Sequence, residues 1–382
     1  MPSFPCAACV RARLSLLTTL AVLAFAVAGC GQGGSPASSR EVWRFAIEES
    51  KGSVQHQYAM RFKQLIEERT DGDVEVIVYP YGTLGTSTQI TEQLALGVVE
   101  FAMASPGSLG KFIPELQVFL LHFVLPQQPD EVRTVLADPQ LVESLDPLYA
   151  EKGLSLLSMY SEGQMAWTLK EEVRDPADFT GLKMRVMTSP ILLAAYGAYG
   201  ASPTPMPYSE VYSGLQLNMI DGQVNPVFAI ERQKFHEVTD WLIFPGHSAF
   251  VTTAAANRQF LADLPEERHE LVRSVIAELD PWIFAIQTEL ESLRLVDILK
   301  DSKRQRRELH LVGDAESLLT SFTDQQRREL VEENPYLIIE PSLTPDEVTA
   351  FRKASRDVQR VFLDIGGDNA EAVLNRVLSS SS

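Results

Sequence analysis

Apolar residues in the first part of the chain alternate between strand-like and helix-like patterns. Short apolar runs at 42–47 and 74–79 have the composition of β-strands, and the spacing of apolar residues at 58–66 between them is helical. A second helix at 88–96 and a strand at 98–104 continue the series. Strand–helix–strand order of this kind predicts parallel β-α-β units.

The same alternation restarts in the middle of the chain. Residues 154–160, 165–170 and 182–187 have strand patterns, and residues 189–200 and 208–217 have helical patterns. A chain of 382 residues exceeds what one hydrophobic core usually organises. The repeat of the pattern therefore predicts a second α/β lobe.

Long helices dominate the rest of the sequence. A nearly uninterrupted helical pattern begins at Glu266 and extends to about residue 309. Another helix is predicted at 345–363, where Thr344 and Glu347 have the spacing of a capping box.

The N-terminus has the pattern of an export signal. Arg11 and Arg13 precede an apolar run that is too short for a comfortable membrane span and ends at Cys30. The ending Val-Ala-Gly-Cys resembles a bacterial lipobox, which predicts a signal peptide at 1–29, a lipidated Cys30 and a flexible linker at 30–40. An ordinary signal peptide with an incidental cysteine is the alternative. We therefore expect a periplasmic protein anchored to the membrane by lipid.

Composition and charge exclude several kinds of partner and chemistry. The formal net charge of −18 disfavours nucleic acid and anionic lipid surfaces. The six histidines show no zinc-ligand spacing, Cys6 and Cys9 lie in the predicted signal peptide, and no Gly-x-Ser-x-Gly or Gly-rich phosphate loop occurs. The adjacent Glu48 and Glu49 could be general acids, but such pairs are usually solvated. We predict no enzyme activity, no metal and no cofactor.

Three segments between Gly181 and Pro226 identify a family. GLKMRV, PTPMPYSEVYSGLQ and DGQVNP occur in this order, YPYGTLG and ALGVVEFAMASPG lie upstream, and LTPDEVTAFRKASRDVQ lies downstream. Together they closely resemble the DctP-type substrate-binding proteins of TRAP (tripartite ATP-independent periplasmic) transporters. The resemblance implies capture of a small organic acid and its delivery to a permease with a small and a large membrane subunit.

The resemblance also implies a periplasmic-binding-protein-like fold, in which an α/β chain forms two lobes around a ligand cleft. The long C-terminal helix from Glu266 would brace both lobes. We assign 41–160 and about 251–285 to lobe 1, and 161–250 and about 286–382 to lobe 2.

The family motif assigns a ligand role to Arg185 of GLKMRV. On sequence pattern alone, an arginine in a half-buried strand would face solvent or pair with an acid. In the family this arginine clamps the ligand carboxylate, and a planar guanidinium suits that role because it donates two parallel hydrogen bonds. Asn225 would bind a second ligand oxygen, with a helix cap as the alternative. Tyr208 would pack on the ligand body, with core packing as the alternative.

Other site residues follow from weaker correspondences. Ser105, Glu48 and Ser87 hold first-lobe positions that line the cleft in the family, although Ser105 could simply form a turn. Many acid-binding relatives carry another arginine where this chain has Met165. With Met165, Trp167 and Tyr208 near the ligand, we expect a monocarboxylate with an apolar, aromatic or hydroxylated body.

One segment departs from the family, and two other functions stay open. Residues 313–341 are longer than the usual connection, which predicts an extra helix or a partner surface.

A ligand-sensing lipoprotein that presents a carboxylate to a membrane signalling partner could use the same cleft. A secreted enzyme is the third possibility.

Overall fold

A computed structural model describes residues 40–313 and 322–380, so the predicted signal peptide, Cys30 and most of the linker lie outside the described residues. The strands in the described ranges are β1 (Glu41–Ala46), β2 (Val74–Tyr79), β3 (Phe101–Ala104), β4 (Leu154–Leu169), β5 (Met184–Val186), β6 (Thr204–Pro205), β7 (Gly222–Pro226), β8 (Trp241–Ile243), β9 (Ala249–Asn257), β10 (Leu309–Val312) and β11 (Leu337–Glu340). The main helices are α1 (Val54–Arg69), α2 (Ser87–Ala95), α3 (Pro106–Leu109), α4 (Pro129–Leu136), α5 (Pro139–Glu151), α6 (Pro190–Ala198), α7 (Val211–Gln216), α8 (Val227–Arg232), α9 (Arg258–Asp263) and α10 (Glu266–Gln305), followed by Pro345–Ser355, Val358–Ile365 and Ala370–Ser380.

Strand β4 belongs to the sheets of both lobes. Its first part pairs antiparallel with β9 in lobe 1, and its last residues pair antiparallel with β7 and β8 in lobe 2. The register against β9 shifts between Ser161 and Gln164, where Gly163 has φ +120°. Glycine adopts this backbone conformation without a Cβ clash. The prediction of two separate strands at 154–160 and 165–170 was therefore wrong, because Gly163 lets one strand bend between the lobes.

The sheet of lobe 1 contains the predicted parallel units. Strand β1 pairs in parallel with β2 and with β3, and helices α1 and α2 provide the crossover connections. Strands β9 and β4 then extend the sheet in antiparallel directions. Tyr58, Phe62, Leu65 and Ile66 of α1 are buried, as their helical spacing predicts.

The sheet of lobe 2 is built around β4, β5, β7 and β8. Strand β5 pairs in parallel with β6 and β7, and β10 pairs in parallel with β8. The long segment at 313–341 supplies β11, which adds a parallel edge strand beside β10. In the described residues this segment also includes a short helix at Asp324–Arg327. The extra length therefore extends the sheet of lobe 2.

Three hydrophobic clusters fill the two lobes. One cluster lies between the sheets and the helices α1, α7, α8 and α10, and it runs through both lobes. A second covers the other face of the lobe 1 sheet with α5 and neighbouring helices. A third covers the other face of the lobe 2 sheet with α6 and Phe351. The predicted two-lobed α/β fold is confirmed.

Helix α10 braces both lobes, as predicted. Its 40 residues span about 60 Å at the usual rise. Near its start, Glu278 pairs with Arg61 at 3.1 Å in lobe 1, and near its end, Asp301 pairs with Lys234 at 3.0 Å in lobe 2. It ends at Gln305, before the predicted end near residue 309, because the chain must turn into β10.

The predicted single helix at 345–363 is two helices, Pro345–Ser355 and Val358–Ile365. The first packs on lobe 2, where Phe351 joins the third cluster. The second and the final helix, Ala370–Ser380, bury Phe362, Leu374 and Val377 in the lobe 1 cluster. The chain therefore crosses between the lobes again near residue 356. Within the described residues, no helix has the length and apolarity required to cross a membrane.

Replacing Gly163 with alanine should destabilise the protein. The strained φ and a Cβ only 3.3 Å from Gln287 Nε2 predict a loss of about 1–3 kcal/mol in the free energy of unfolding. Gly197 is the matched control, because it lies in α6 with nothing within 4 Å of an added Cβ, and Gly197→Ala should stabilise by about 0.5–1 kcal/mol. Urea unfolding of both variants measures the difference, and equal stabilities would contradict the role of Gly163.

Candidate ligand-binding site

Arg185 is the buried cation of the site. It lies on β5 with only 3% of its surface exposed. Its Nε and Nη2 donate hydrogen bonds to the carbonyl of Met206, at 3.0 and 2.8 Å. A guanidinium has five N–H donors, so these bonds orient the group while leaving donors for another acceptor. Burial lowers the pKa of Arg185 to about 10, which still leaves it charged near pH 7.

Sheet pairing places three polar side chains on the same face as Arg185. Arg185 is paired with Gln223 of β7, and Gln223 is opposite Thr168 of β4. Because side chains alternate between the faces of a sheet, Asn225, two residues after Gln223, shares that face. Gln223 donates to the Thr168 hydroxyl at 3.0 Å and accepts a hydrogen bond from the Asn225 amide. This network holds the Asn225 side chain on the same face of the sheet as Arg185.

Glu48 is held by donors from lobe 1. It follows β1, and its carboxylate accepts hydrogen bonds from the Ser105 backbone N–H at 2.8 Å and from the Ser108 hydroxyl. Its own backbone N–H donates to Gln55 of α1 at 2.8 Å. Burial nevertheless raises the pKa of Glu48 to about 7, and the hydrogen bonds from Ser108 and Ser105 oppose that rise.

Two further carboxyl groups lie close to Glu48. Burial, followed by the charge of Glu48, raises the pKa of Glu49 to about 8, and Tyr208 and Arg185 oppose that rise. Burial raises the pKa of Glu162 well above its usual value, with Glu49 as the next cause. Glu162 lies at the bend of β4 and accepts a hydrogen bond from Gln55 at 2.8 Å. Three buried carboxyl groups therefore lie near one another. An added cation would lower their pKa values and favour their charged forms.

Aromatic residues complete the wall beside Arg185. Tyr208 is buried, and its ring packs edge-on against Tyr81 and Phe235, with centroid distances of 5.5 and 6.1 Å. Burial lowers the pKa of Arg185, and Tyr208 and Tyr81 oppose that decrease. Tyr81 follows β2 in lobe 1, whereas Tyr208 belongs to lobe 2, so this aromatic contact joins the lobes.

Several buried oxygen atoms around these groups lack a hydrogen-bond partner. Among the described residues they include Glu49 Oε2, Glu162 Oε2 and the hydroxyl oxygen of Ser50. Buried polar atoms in native proteins are nearly always hydrogen-bonded, so such a cluster is typical of a ligand site. Most of these oxygens are acceptors or can act as acceptors, which suits a ligand that donates hydrogen bonds.

The structure brings together five of the predicted site residues and places the others elsewhere. Arg185, Asn225, Tyr208, Ser105 and Glu48 all line this region. Trp167 and Met165 alternate to the opposite face of the lobe 2 sheet, where Trp167 is fully buried and donates to Tyr196 at 2.9 Å. Ser87 is the first residue of α2, and no contact joins it to this group.

Sequence reasoning missed important members of the site. The expectation that Glu48 and Glu49 are solvated was wrong, since they are 4% and 5% exposed. Glu162 and Gln55 were not predicted at all. The available signal for Glu162 was a lone acid between two apolar strand patterns, next to a glycine. Gln55 lies in the first turn of α1 and gave no signal, because its partners are distant in sequence.

One group of side chains has the composition of a metal site. His236, Glu237 and Asp301 each offer a ligand atom, and these atoms lie within 4.8 Å of one another. Asp301 already pairs with Lys234 at 3.0 Å and with Arg304 at 2.7 Å. Two adjacent cations make this an unfavourable place for a metal ion.

The arrangement is suited to bind a ligand that carries both charges. Lobe 2 presents the guanidinium of Arg185, and lobe 1 and the bend of β4 present the three carboxyl groups. A molecule with a carboxylate at one end and a cationic donor at the other would complement both sides. Contacts from both lobes would then favour a closed cleft.

Comparisons with known proteins find relatives of this chain. Residues 45–311 match the family described as bacterial extracellular solute-binding protein, family 7 (DctP). The ectoine/5-hydroxyectoine-binding periplasmic protein UehA of Ruegeria pomeroyi is 34% identical over 93% of this chain and 94% of the relative.

Two solved structures share the fold. A TRAP periplasmic solute-binding protein from Marinobacter aquaeolei, in an apo open form, is 37% identical and has a TM-score of 0.73, covering 88% of this chain and 99% of that one. The periplasmic ectoine-binding protein of the TeaABC TRAP transporter of Halomonas elongata is 31% identical and has a TM-score of 0.76, covering 89% and 99%. The chain therefore belongs to the DctP-type substrate-binding proteins of TRAP transporters.

Proposed function

We propose that this protein captures a small zwitterionic organic acid of the ectoine class and delivers it to a TRAP permease. The observation that carries the proposal is the burial of three carboxyl groups opposite one guanidinium. UehA and the Halomonas protein are described as ectoine-binding, and they are among the relatives that match nearly the whole chain.

Ectoine has the charges that this cleft complements. It is a cyclic molecule in which one carboxylate is attached to a ring that carries a delocalised, hydrogen-bond-donating cation. Its carboxylate would accept hydrogen bonds from Arg185 and from Asn225, whereas the ring N–H groups would donate to Glu48, Glu49 or Glu162. Tyr208 and Tyr81 would flank the apolar part of the ring.

The charges of this cleft would attract one ligand carboxylate and repel a second. At an effective dielectric constant near 20, opposite charges about 4 Å apart attract by roughly 4 kcal/mol before desolvation. Arg185 supplies that attraction for one ligand carboxylate. A second ligand carboxylate would face the acidic groups of lobe 1, so a monocarboxylate is preferred to a dicarboxylate. The predicted monocarboxylate preference is thus kept in the proposal, with the acids around Glu49 as its cause.

Closure of the cleft would couple capture to delivery. The ligand's two charges contact opposite lobes, so the closed form gains interactions that the open form lacks. The closed protein would then dock on the small and large membrane subunits of the permease. Lipidation of Cys30 would keep it at the membrane surface, because more than one acyl chain gives stable anchoring.

Arg185→Met should weaken ectoine binding at least about 100-fold, equivalent to about 2.7 kcal/mol. Loss of charge-assisted hydrogen bonds from a buried group accounts for this magnitude. Lys183→Met is the matched control, because it removes an exposed cation from the same region of the chain and should leave the affinity within about twofold. Isothermal titration calorimetry measures both, and an Arg185→Met protein that binds ectoine like the unmodified chain would exclude the assignment.

Ectoine affinity should increase from pH 6 to pH 8. The pKa values of Glu48 and Glu49 are about 7 and about 8 without ligand, and a bound cation would lower them, so binding releases protons in this range. Calorimetry in two buffers with different ionisation enthalpies measures that release. An affinity that does not change with pH would show that the ligand cation does not meet these carboxyl groups.

Glu49→Gln should stabilise the ligand-free protein at pH 8 more than at pH 5. The folded-state pKa of Glu49 is raised from 4.5 to about 8, so its contribution to the free energy of unfolding is present below pH 4.5 and is lost as the pH rises through 8. Glutamine does not ionise, so the Glu49→Gln protein does not lose stability through this group as the pH rises. Thermal unfolding at both pH values tests this, with the exposed Glu92→Gln as control. A constant difference between Glu49→Gln and the unmodified protein would contradict the raised pKa.

A further inference from the structure

A cavity of about 480 Å³ lies beside β4 and α10, and its lining includes none of Arg185, Asn225, Tyr208, Glu48, Glu49 and Glu162. Met165 lines it, and Met165 alternates to the face of the sheet opposite Arg185. The volume falls within the range of ordinary small-molecule sites. We call this space the crossover cavity, because its walls include the segments that connect the lobes.

Hydrogen bonds between the connecting segments form one wall of the crossover cavity. Gln164 donates to the carbonyl of Gln127 at 3.0 Å, and Gln127 donates to the carbonyl of Gly246 at 3.1 Å. The Met165 backbone N–H donates to the carbonyl of Ser248 at 2.9 Å. Helix α10 forms the opposite wall with Thr288, Ser292 and neighbouring residues. The connecting segments are therefore joined to one another along this wall.

The lining is mostly apolar and contains one charged side chain among the described residues. Val227, Phe244, Pro245, Leu295 and Leu343 supply apolar surface. Glu291 of α10 is the charged member, and no lysine, arginine or histidine of the described chain joins it in the lining.

Glu291 is held in place by neutral donors. The Gln287 amide donates to Glu291 Oε2 at 2.9 Å, and the Gln164 backbone N–H donates to the same carboxylate. Burial raises the pKa of Glu291 to about 7, with these hydrogen bonds opposing the rise. A carboxylate has room for about four hydrogen bonds, so this one can accept more.

We propose that the crossover cavity is a second ligand site, which takes a small organic cation with an apolar body. The ammonium group would pair with Glu291, and the apolar part would pack against Met165, Phe244 and Leu295. This site is separate from the cleft around Arg185 and does not depend on the identity of the transported solute.

Tryptamine and tryptophol are suitable probes, because they share an indolylethyl body and differ in an ammonium versus a hydroxyl group. Calorimetry on the folded chain without its signal peptide should show tryptamine binding at least about ten times more tightly than tryptophol. Glu291→Gln should weaken tryptamine binding at least about tenfold. Glu289→Gln, an exposed acid two residues away on α10, should change it less than about twofold.

Two further variants locate the site and protect the test against a folding defect. Glu49→Gln in the cleft should leave tryptamine affinity within about threefold, whereas Ser292→Leu should lower it by filling the cavity from α10. If Glu291→Gln does not fold, Ser292→Leu decides. Equal binding of the two probes, unchanged tryptamine affinity in Ser292→Leu, a loss in Glu49→Gln, or no tryptamine binding up to about 10 mM would each overturn the proposal.

Discussion

Burial of more acid than base in the cleft is the constraint on which the rest of the structure depends. Removing a carboxylate from water is costly unless it is paired or hydrogen-bonded, and Arg185 cannot compensate Glu48, Glu49 and Glu162 together. These carboxyl groups therefore keep their protons to a higher pH than solvated carboxyl groups do. Lobe 1 anchors Glu48 with Ser105 and Ser108, whereas lobe 2 anchors Arg185 with Met206, so each charge is fixed before a ligand bridges them.

The alternation of side chains along β4 and its neighbours separates two environments with one layer of backbone. Thr168, Gln223 and Arg185 share one face of the sheet, and Trp167, Val224 and Met184 face an aromatic core on the other side. A one-residue shift in register would exchange these faces. The packing of Trp167 against Phe179 and Phe351 thus fixes the register that places Arg185 on the opposite face.

Sequence pattern and family resemblance together predicted the architecture, the guanidinium and Glu48, but not Glu49 or Glu162. Periodicity was sufficient for β1, α1, β2 and α10, because local spacing encodes burial. The family motif assigned ligand roles to Arg185 and Asn225, and these roles stay predictions. Glu162 and Gln55 could not be found in this way, because their contact joins residues 107 positions apart. Trp167 was expected beside the ligand, yet strand parity, which depends on the true register of β4, directs it elsewhere.

The return of the C-terminus to lobe 1 affects how the chain can fold. Phe362, Leu374 and Val377 are buried with residues such as Ile90 and Leu145, which are synthesised far earlier. The N-terminal lobe thus has an incomplete core until the last helix is available. A polypeptide built in this way cannot finish its first half while its end is still on the ribosome, and such postponed completion is compatible with crossing a membrane in an unfolded state.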